Sequence, residues 1–357
     1  MAQKRKDKVA LLFGGRSAEH EVSIVSAGSV YKNLDKEKYT PSCIYINKQG
    51  LWREVESPFL QQADLEKGPF LTFLPWGNQG SLSLIDADIY FPVLHGPYGE
   101  DGTVQGLFEM ADVPYVGAAV LASAVGMDKA IAKSLFHGKK LPVVKSSVLL
   151  EHQWNQGPEE TMAEIKEKFT FPFFIKPANL GSSVGISKVS DEGQTRSAIR
   201  HAFRYDAKIL IEQGIRGREF ECSVLGNLHP EASLPGEIIP YRDFYDYRDK
   251  YIEGKTSFKI PAELPQDMVE KVQNLAVAAF QAIGGSGMAR VDFFLQEGTQ
   301  KLFLNEINTI PGFTEISMYP KLWEVSGLPY PQLLDKLIAL GFQRHKNKKR
   351  GGISFEP

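Results

Sequence analysis

A chain of 357 residues, 43% hydrophobic and 24% charged, holds enough apolar material for two or three packed domains without disulfide or metal staples. Its formal net charge of -2 removes any global electrostatic case for nucleic acid or an anionic membrane as partner. No apolar run reaches the ~20 residues of a transmembrane helix, the amino end lacks a signal-peptide core, and Cys43 and Cys222 are too few for a disulfide framework, so a soluble cytoplasmic protein with two buried, inert thiols is expected.

The first third alternates strand and helix. Val9 to Phe13 reads as a buried strand, Gly14-Gly15 as a turn, and Ile24, Ala27, Tyr31 and Leu34 then recur at helical spacing. Ser17 reads as the N-cap of that helix. Strands are expected at 42–46 and 88–93 and a helix at 104–111, whereas 48–86, with scattered Pro, Gly and Gln, resists assignment. The β-α-β order argues for an open parallel sheet, whose ligands lie beyond the carboxyl ends of the strands. The loops 14–19 and 95–102 both fall there.

Beyond a boundary near 123 the character changes to a hairpin-rich α+β pattern. A helix at 128–137 leads to a strand at 145–149, a polar helix-prone stretch at 159–169, and a strand at 172–177 closed by Pro177. A Gly-Ser turn at 179–185, a strand at 186–189, a helix capped by Asp191 and a strand at 209–212 follow. The last third has strands at 218–225 and 236–239, then an aromatic and charged loop from Asp243 to Tyr251. A helix at 268–283, strands at 288–295 and 301–307, and helices at 317–326 and 330–340 complete the chain. Units of 1–123, 124–215 and 216–357 are expected.

The strongest chemical signal lies on the last two strands. Arg290 and Asp292 are two residues apart and share a face, as do Glu306 and Asn308. If those strands are neighbours, Asp292, Glu306 and Asn308 converge as hard oxygen donors, which suits magnesium beside phosphates. Arg290 would then hold a phosphoryl oxygen. The alternative is a polar sheet face with one ion pair. Lys176 ends an apolar strand, and Lys129 opens a helix, where a cation is unfavourable against the dipole. A nucleotide phosphate would satisfy both; for Lys176, so would snorkelling past Phe173 and Phe174.

Other segments carry open alternatives. Gly181 to Gly185 can close backbone amides over phosphate oxygens or be an ordinary turn. The chain has no P-loop and no G-x-G-x-x-G after its first strand, so a nucleotide would need another grip. Glu19 either sits in a helix's first turn or faces a cleft as partner of a substrate ammonium. His95, in its glycine-rich loop, reads as structural before catalytic. The loop 243–251 reads as a lid or as an exposed connection.

Together and in order, GGRSAEHEVS (14–23), HGPYGEDG (95–102), Lys176-Pro177 with GSSVG (181–185), Tyr245-Asp246-Tyr247 with Lys250-Tyr251, Arg290-Val291-Asp292 and NEINTIPGFT (305–314) resemble the D-alanine–D-alanine ligase family. The resemblance runs from about residue 8 to 342. It implies an N-terminal pre-ATP-grasp α/β domain, 1–123, followed by the two-part ATP-grasp fold. The parts of that fold would be a central subdomain, 124–215, and a C-terminal domain, 216–357, with a lid near 236–260. It implies formation of D-alanyl-D-alanine through a D-alanyl phosphate, with ATP as co-substrate, for peptidoglycan precursor synthesis. Two magnesium or manganese ions would assist, with room for a monovalent cation, and the assembly would be a homodimer.

Residue roles carry over in the same way. Asp292, Glu306 and Asn308 match metal ligands, and Lys129 and Lys176 match phosphate-binding lysines. Glu212, with Gln213 and Ile215, matches the adenine hinge. Glu219 matches the ribose contact, and Ser183 and Asn305 further nucleotide contacts. Glu19 matches the holder of the first D-alanine's ammonium, with His95 lining that subsite. Ser182 and Tyr251 match a hydrogen-bonded pair linking Glu19 to the lid. Arg290 and Gly312 match the stabilisers of the tetrahedral intermediate, and Lys250 and Ser317 the binders of the second carboxylate. Relatives that make D-alanyl-D-lactate often lack the lid tyrosine, so Tyr251 favours the dipeptide over that alternative. Glu315 stands where many members carry a small polar residue.

Overall fold

The computed structural model describes residues 5–71, 86–239 and 256–348. Its first sheet contains strands β1 (Asp7–Gly14), β2 (Tyr39–Ile46), β3 (Trp52–Val55) and β4 (Ile89–Pro92), in the order β3-β2-β1-β4. β1 pairs in parallel with β2 and β4, and β3 is an antiparallel edge. Val9, Leu11 and Phe13 are fully buried against Ala27 and Val30 of helix α1 (His20–Asn33). A buried side chain of this kind contributes about 1.5–3 kcal/mol. The stretch 48–86 yields β3 and the short helix α2 (Gln62–Leu65), with its remainder, 72–85, outside the described residues.

Helices α3 (Thr103–Met110), α4 (Val120–Met127) and α5 (Lys129–Gly138) lead to the second sheet. Asp128 separates α4 from α5, and its carboxylate accepts the N–H groups of Ala130 and Ile131 as the cap of α5. The second sheet comprises β5 (Ser146–Leu150), β6 (Phe173–Pro177), β7 (Ser187–Val189) and β8 (Lys208–Gln213), ordered β5-β8-β6-β7 and antiparallel throughout. Helices α6 (Glu151–Gln156), α7 (Pro158–Lys168) and α8 (Glu192–Phe203) bury Trp154, Ile165 and Ile199 against it. The expected cap of α8 is present: Asp191 accepts the Gln194 N–H.

The third sheet joins β9 (Gly217–Gly226), β10 (Glu231–Ala232), β11 (Gly236–Ile239), β12 (Ser257–Lys259), β13 (Gly287–Gln296) and β14 (Leu302–Asn308). Its order is β12-β11-β9-β13-β14, with β10 beside β9. Helix α9 (Gln266–Ala282) packs Val272, Ala276 and Phe280 onto one face. Residues of α10 (Met318–Val325) and α11 (Tyr330–Lys348) return to the first sheet, where Leu333, Leu334 and Leu337 enter its core. Arg344 near the end of α11 donates to the Tyr115 carbonyl at 2.9 Å.

This is the mixed architecture expected for an N-terminal domain plus an ATP-grasp fold. Residue 123 lies inside α4, and 215/216 falls between β8 and β9. Both cysteines are free and buried, and burial pushes each thiol up to about 12. Among the described residues no helix is long and apolar enough to cross a membrane.

Candidate active site

A cleft of about 1050 Å³ opens between the first sheet's loops, the 181–185 turn and the polar face of the third sheet. Glu19, Ser182, Arg290, Glu306, Asn308 and Gly312 all line it, as do His95, Lys129 and Ser317.

Glu19 is placed by the turn that follows β1. Gly14 has φ +91°, and a Cβ there would meet the Ile46 carbonyl oxygen at 2.2 Å, so only glycine fits. Ser17 does not cap α1 as expected; Glu19 occupies that position without a side-chain cap bond. The Ser17 hydroxyl instead donates to the His95 carbonyl at 2.7 Å and accepts the Glu19 N–H at 3.1 Å, so a tertiary contact wins over the local cap. The Ser182 hydroxyl donates to Glu19 Oε1. Ser182 (φ 51°) and Ser183 (φ 59°) both lie in the left-handed region, a conformation that costs energy and recurs at ligand clamps.

His95 lines the cleft, yet both ring nitrogens are engaged. Its Nδ1 lies 3.1 Å from the Ile310 carbonyl and its Nε2 3.0 Å from Ser26 Oγ, which also accepts the Phe313 N–H at 3.3 Å. The ring thereby fixes the segment that carries Gly312. Burial alone would lower the imidazole pKa, but Glu100 at 3.5 Å reverses this and raises it. Burial pushes the Glu100 carboxyl up to about 7, against the lowering influence of His95.

On the opposite wall the expected strand pairing is present. β13 and β14 are antiparallel neighbours, with Arg290 opposite Asn308 and Asp292 opposite Glu306. Arg290 makes a bidentate fork to Asp292, Nε to Oδ1 at 2.7 Å and Nη2 to Oδ2 at 2.8 Å. Glu221 Oε2 lies 3.2 Å from the same Nε. Burial alone would lower the guanidinium pKa, but Asp292 and Glu221 raise it well above its ordinary value. The register slips after Asp292, and Asn305 Oδ1 there is buried without a hydrogen-bond partner. A divalent cation fits the donor set: Asp292, Glu306 and Asn308 offer hard oxygens on one face, and acidic groups outnumber Arg290 there.

The nucleotide-matching residues form a second cluster. Glu212 is buried between Lys176 (Nζ 2.5 Å from Oε1) and Lys133 (Nζ 2.6 Å from Oε2). Burial alone would raise the Glu212 pKa, but the two ammonium groups lower it. Burial works against charge on Lys176 too, yet Glu212, Glu306 and Glu219 raise its pKa. Lys129 donates to the Leu180 carbonyl at 2.6 Å and sits 3.9 Å from Glu306, linking the two clusters. Gln213 commits its side chain to the Thr170 and Pro172 backbone, so its backbone is what it can offer a ligand. Ile215 and Glu219 are half-buried beyond it.

Gly312 faces Ser317 closely: a Cβ at 312 would meet Ser317 Oγ at 2.7 Å. Ser317 precedes the first turn of α10, and its hydroxyl accepts the Thr314 N–H at 2.9 Å. Glu315 turns to the cleft rim and pairs with Lys32 at 3.0 Å. The stems of the expected lid, β11 and β12, pair antiparallel, and Phe258 lines the cleft. Lys250 and Tyr251 lie outside the described residues.

Three participants escaped the sequence reading. Lys133 sits four residues after Lys129 on one helix face, a spacing that should have drawn notice. Glu221 lies two after Glu219 on β9, directly opposite Asp292. Glu100 lies in the loop already singled out for His95.

Profiles of two family segments match the chain: one described as D-ala D-ala ligase N-terminus over residues 8–118, and one described as D-ala D-ala ligase C-terminus over 135–339. A D-alanine–D-alanine ligase of Heliobacterium modesticaldum is 46% identical, covering 99% of this chain and 99% of that one. One from Solibacter usitatus is 49% identical over 96% of this chain and 98% of its own. Among solved structures, the D-alanine-D-alanine ligase of Coxiella burnetii superposes with a TM-score of 0.84 at 39% identity, covering 97% and 96% of the two chains. The VanG D-Ala:D-Ser ligase of Enterococcus faecalis superposes with a TM-score of 0.81 at 36% identity, covering 94% and 100%.

Proposed function

The chain belongs to the D-alanine–D-alanine ligase family, and on that premise we propose the following assignment of its cleft. The protein is an ATP-dependent ligase that joins two D-alanine molecules into D-alanyl-D-alanine, forming a carbon–nitrogen bond. A carboxylate oxygen of the first D-alanine attacks the γ-phosphorus of ATP, giving D-alanyl phosphate and ADP. The amine of the second attacks the acyl carbon, a proton is lost, and phosphate leaves. The relatives' names favour this reaction over D-alanyl-D-lactate synthesis.

Glu19, held by Ser182, receives the first ammonium and so orients its carboxylate. His95 keeps the 310–313 segment, and with it Gly312, at a fixed distance from that site. Arg290 lines the cleft while spending only Nε and one Nη2 hydrogen on Asp292, so further N–H groups remain for an oxyanion at the acyl carbon. Ser317 and the amino end of α10 suit the second carboxylate, with Lys250 joining them. Lys129, Lys176 and the 181–185 turn, with Ser183, take the phosphates. Glu212, Gln213, Ile215 and Glu219 take adenosine, and Asn305, whose side-chain oxygen is buried without a hydrogen-bond partner, would add a further nucleotide contact. Asp292, Glu306 and Asn308 would hold magnesium or manganese, which supplies positive charge against the phosphates. The expected lid near 236–260, to which Tyr251 belongs, would keep water from the acyl phosphate. The units 1–123, 124–215 and 216–357, a homodimeric assembly and a cytoplasmic location complete the proposal.

The observation that carries this reading is one cleft with Glu19 and Ser182 on one wall and Arg290, Glu306 and Asn308 on the other. The test is phosphate release from ATP and magnesium with D-alanine, L-alanine, or D-alanine plus D-lactate, with products identified by mass. Dipeptide from D-alanine alone, and dipeptide dominating the mixture, is the expected result. Predominant depsipeptide in the mixture, or no release with D-alanine, would overturn it.

A further inference from the structure

Lys176 and Lys133 share one buried carboxylate, Glu212. Lys176 extends from β6, just before the loop whose Gly181 and Ser182 line the cleft. A phosphate near that loop draws its ammonium away from Glu212. Glu212 is only 3% exposed, so it would then be a buried carboxylate without a counter-charge, a costly state. Lys133, 4% exposed on α5, contacts the other oxygen at 2.6 Å. Like Lys176 and Glu212, it lies outside the cleft lining.

We propose that Lys133 is a positioning residue for the nucleotide: it keeps Glu212 ionised and in one orientation, so that Oε1 can accept the 6-amino group of adenine once Lys176 turns to phosphate. The inference rests on the assignment of Glu212 to the base. An ionised carboxylate accepts hydrogen bonds and donates none, so it selects a 6-amino purine over a 6-oxo purine. Lys133 thus acts on base selection through Glu212, and its charge offsets the carboxylate in both states of Lys176. The low intrinsic comfort of a buried ammonium agrees with this: burial, with Lys176 nearby, lowers the Lys133 pKa, and Glu212, aided by Glu306, opposes the loss of its proton.

The test compares wild type, Lys133→Met, Lys133→Arg, Glu212→Gln and the Lys133→Met/Glu212→Gln double variant. The measurements are kcat and KM for ATP, for inosine triphosphate and for D-alanine, with melting temperature recorded for each. Lys133→Met is expected to raise the ATP KM by about tenfold or more, as loss of a charged contact would, and to shrink the preference for ATP over inosine triphosphate. The D-alanine KM should hold, and Lys133→Arg should restore most of the preference. In the Glu212→Gln background, adding Lys133→Met should change the preference no further. That last comparison also stands if Lys133→Met alone folds poorly, because the double variant carries no uncompensated buried carboxylate. An unchanged ATP preference in folded Lys133→Met, or a further loss in the double variant, overturns the role. Wild type that turns over both nucleotides equally removes the base assignment itself, and this inference with it.

Discussion

Two buried charge clusters, one on the cleft wall and one beyond its lining, are built as opposites. On the third sheet a single guanidinium, Arg290, is held by Asp292 and Glu221. Under the second sheet a single carboxylate, Glu212, is held by Lys133 and Lys176. The first cluster therefore has an excess of negative charge, which Glu306 increases; the second has an excess of positive charge. Low-dielectric walls strengthen both fields. A cation belongs at one end and an anion at the other, and Lys129, 3.9 Å from Glu306, stands between them. The ligand proposed above, a nucleoside triphosphate with a divalent metal, would match that polarity. The minority charge in each cluster is the group assigned to recognition: Arg290 to the acyl centre, Glu212 to the base. The majority charges hold it in place.

Removing the minority charge of the acidic cluster should give the largest effect. Arg290→Ala is expected to lower kcat about a hundred- to a thousandfold, the range for losing one preorganised group at a developing charge. Its divalent-cation requirement should not worsen, because the cluster becomes more negative. Steady-state kinetics across a magnesium titration reads both quantities. Near-normal turnover, or a metal requirement that rises more than turnover falls, would make Arg290 sheet glue and break the symmetry between clusters.

Removing a majority charge should act differently. Asp292→Asn keeps shape but loses one anion, so the manganese half-saturation should rise about tenfold or more, a change of the size that altered metal surroundings bring. Rate at saturating manganese should recover much of the loss. Manganese binding followed by electron paramagnetic resonance with ADP present provides a readout independent of turnover. Unchanged half-saturation would take Asp292 out of the metal set.

The two clusters also differ in how far they could be read from sequence. Arg290, Asp292, Glu306 and Asn308 were legible because a strand's two-residue period fixes which side chains share a face, and the pairing of β13 with β14 then brings them together. Glu221 obeys the same rule but needs a third strand, β9, whose neighbour cannot be inferred locally. Glu212 came only through family resemblance, and Lys133 not at all. A lysine in a helix is ordinarily solvated, and nothing local says that β8 lies under this one. Ser17 failed for a related reason. It had the chemistry of a cap, but the His95 carbonyl, from a distant loop, took its hydroxyl. Long strands and helices were readable from their periodicity.

A third ion pair tests whether burial, rather than charge count, gives the clusters their strength. Lys32 and Glu315 meet at 3.0 Å on the cleft rim, with side chains 67% and 72% exposed. Exposed pairs contribute about 0–1 kcal/mol, so this one should not organise the site. Both residues nevertheless line the mouth shared with Ser317, where the second substrate's carboxylate would enter. Lys32→Ala leaves the Glu315 carboxylate uncompensated there, and like charges a few ångströms apart in water repel by about 1 kcal/mol. The KM for the second D-alanine should rise about two- to threefold at low ionic strength. At about 1 M salt, where the Debye length falls to roughly 3 Å, the difference should vanish. Glu315→Gln should lower the same KM slightly, and the double variant should lie near wild type. A Lys32→Ala effect that persists in high salt, or that falls on kcat, would mean the pair holds α1 against the 314–317 loop and shapes the site mechanically. Salt sensitivity at the rim, set against salt insensitivity of Arg290 and Lys133 variants, would place the dividing line at solvent access, since all three contacts join the same kinds of charge at similar distances.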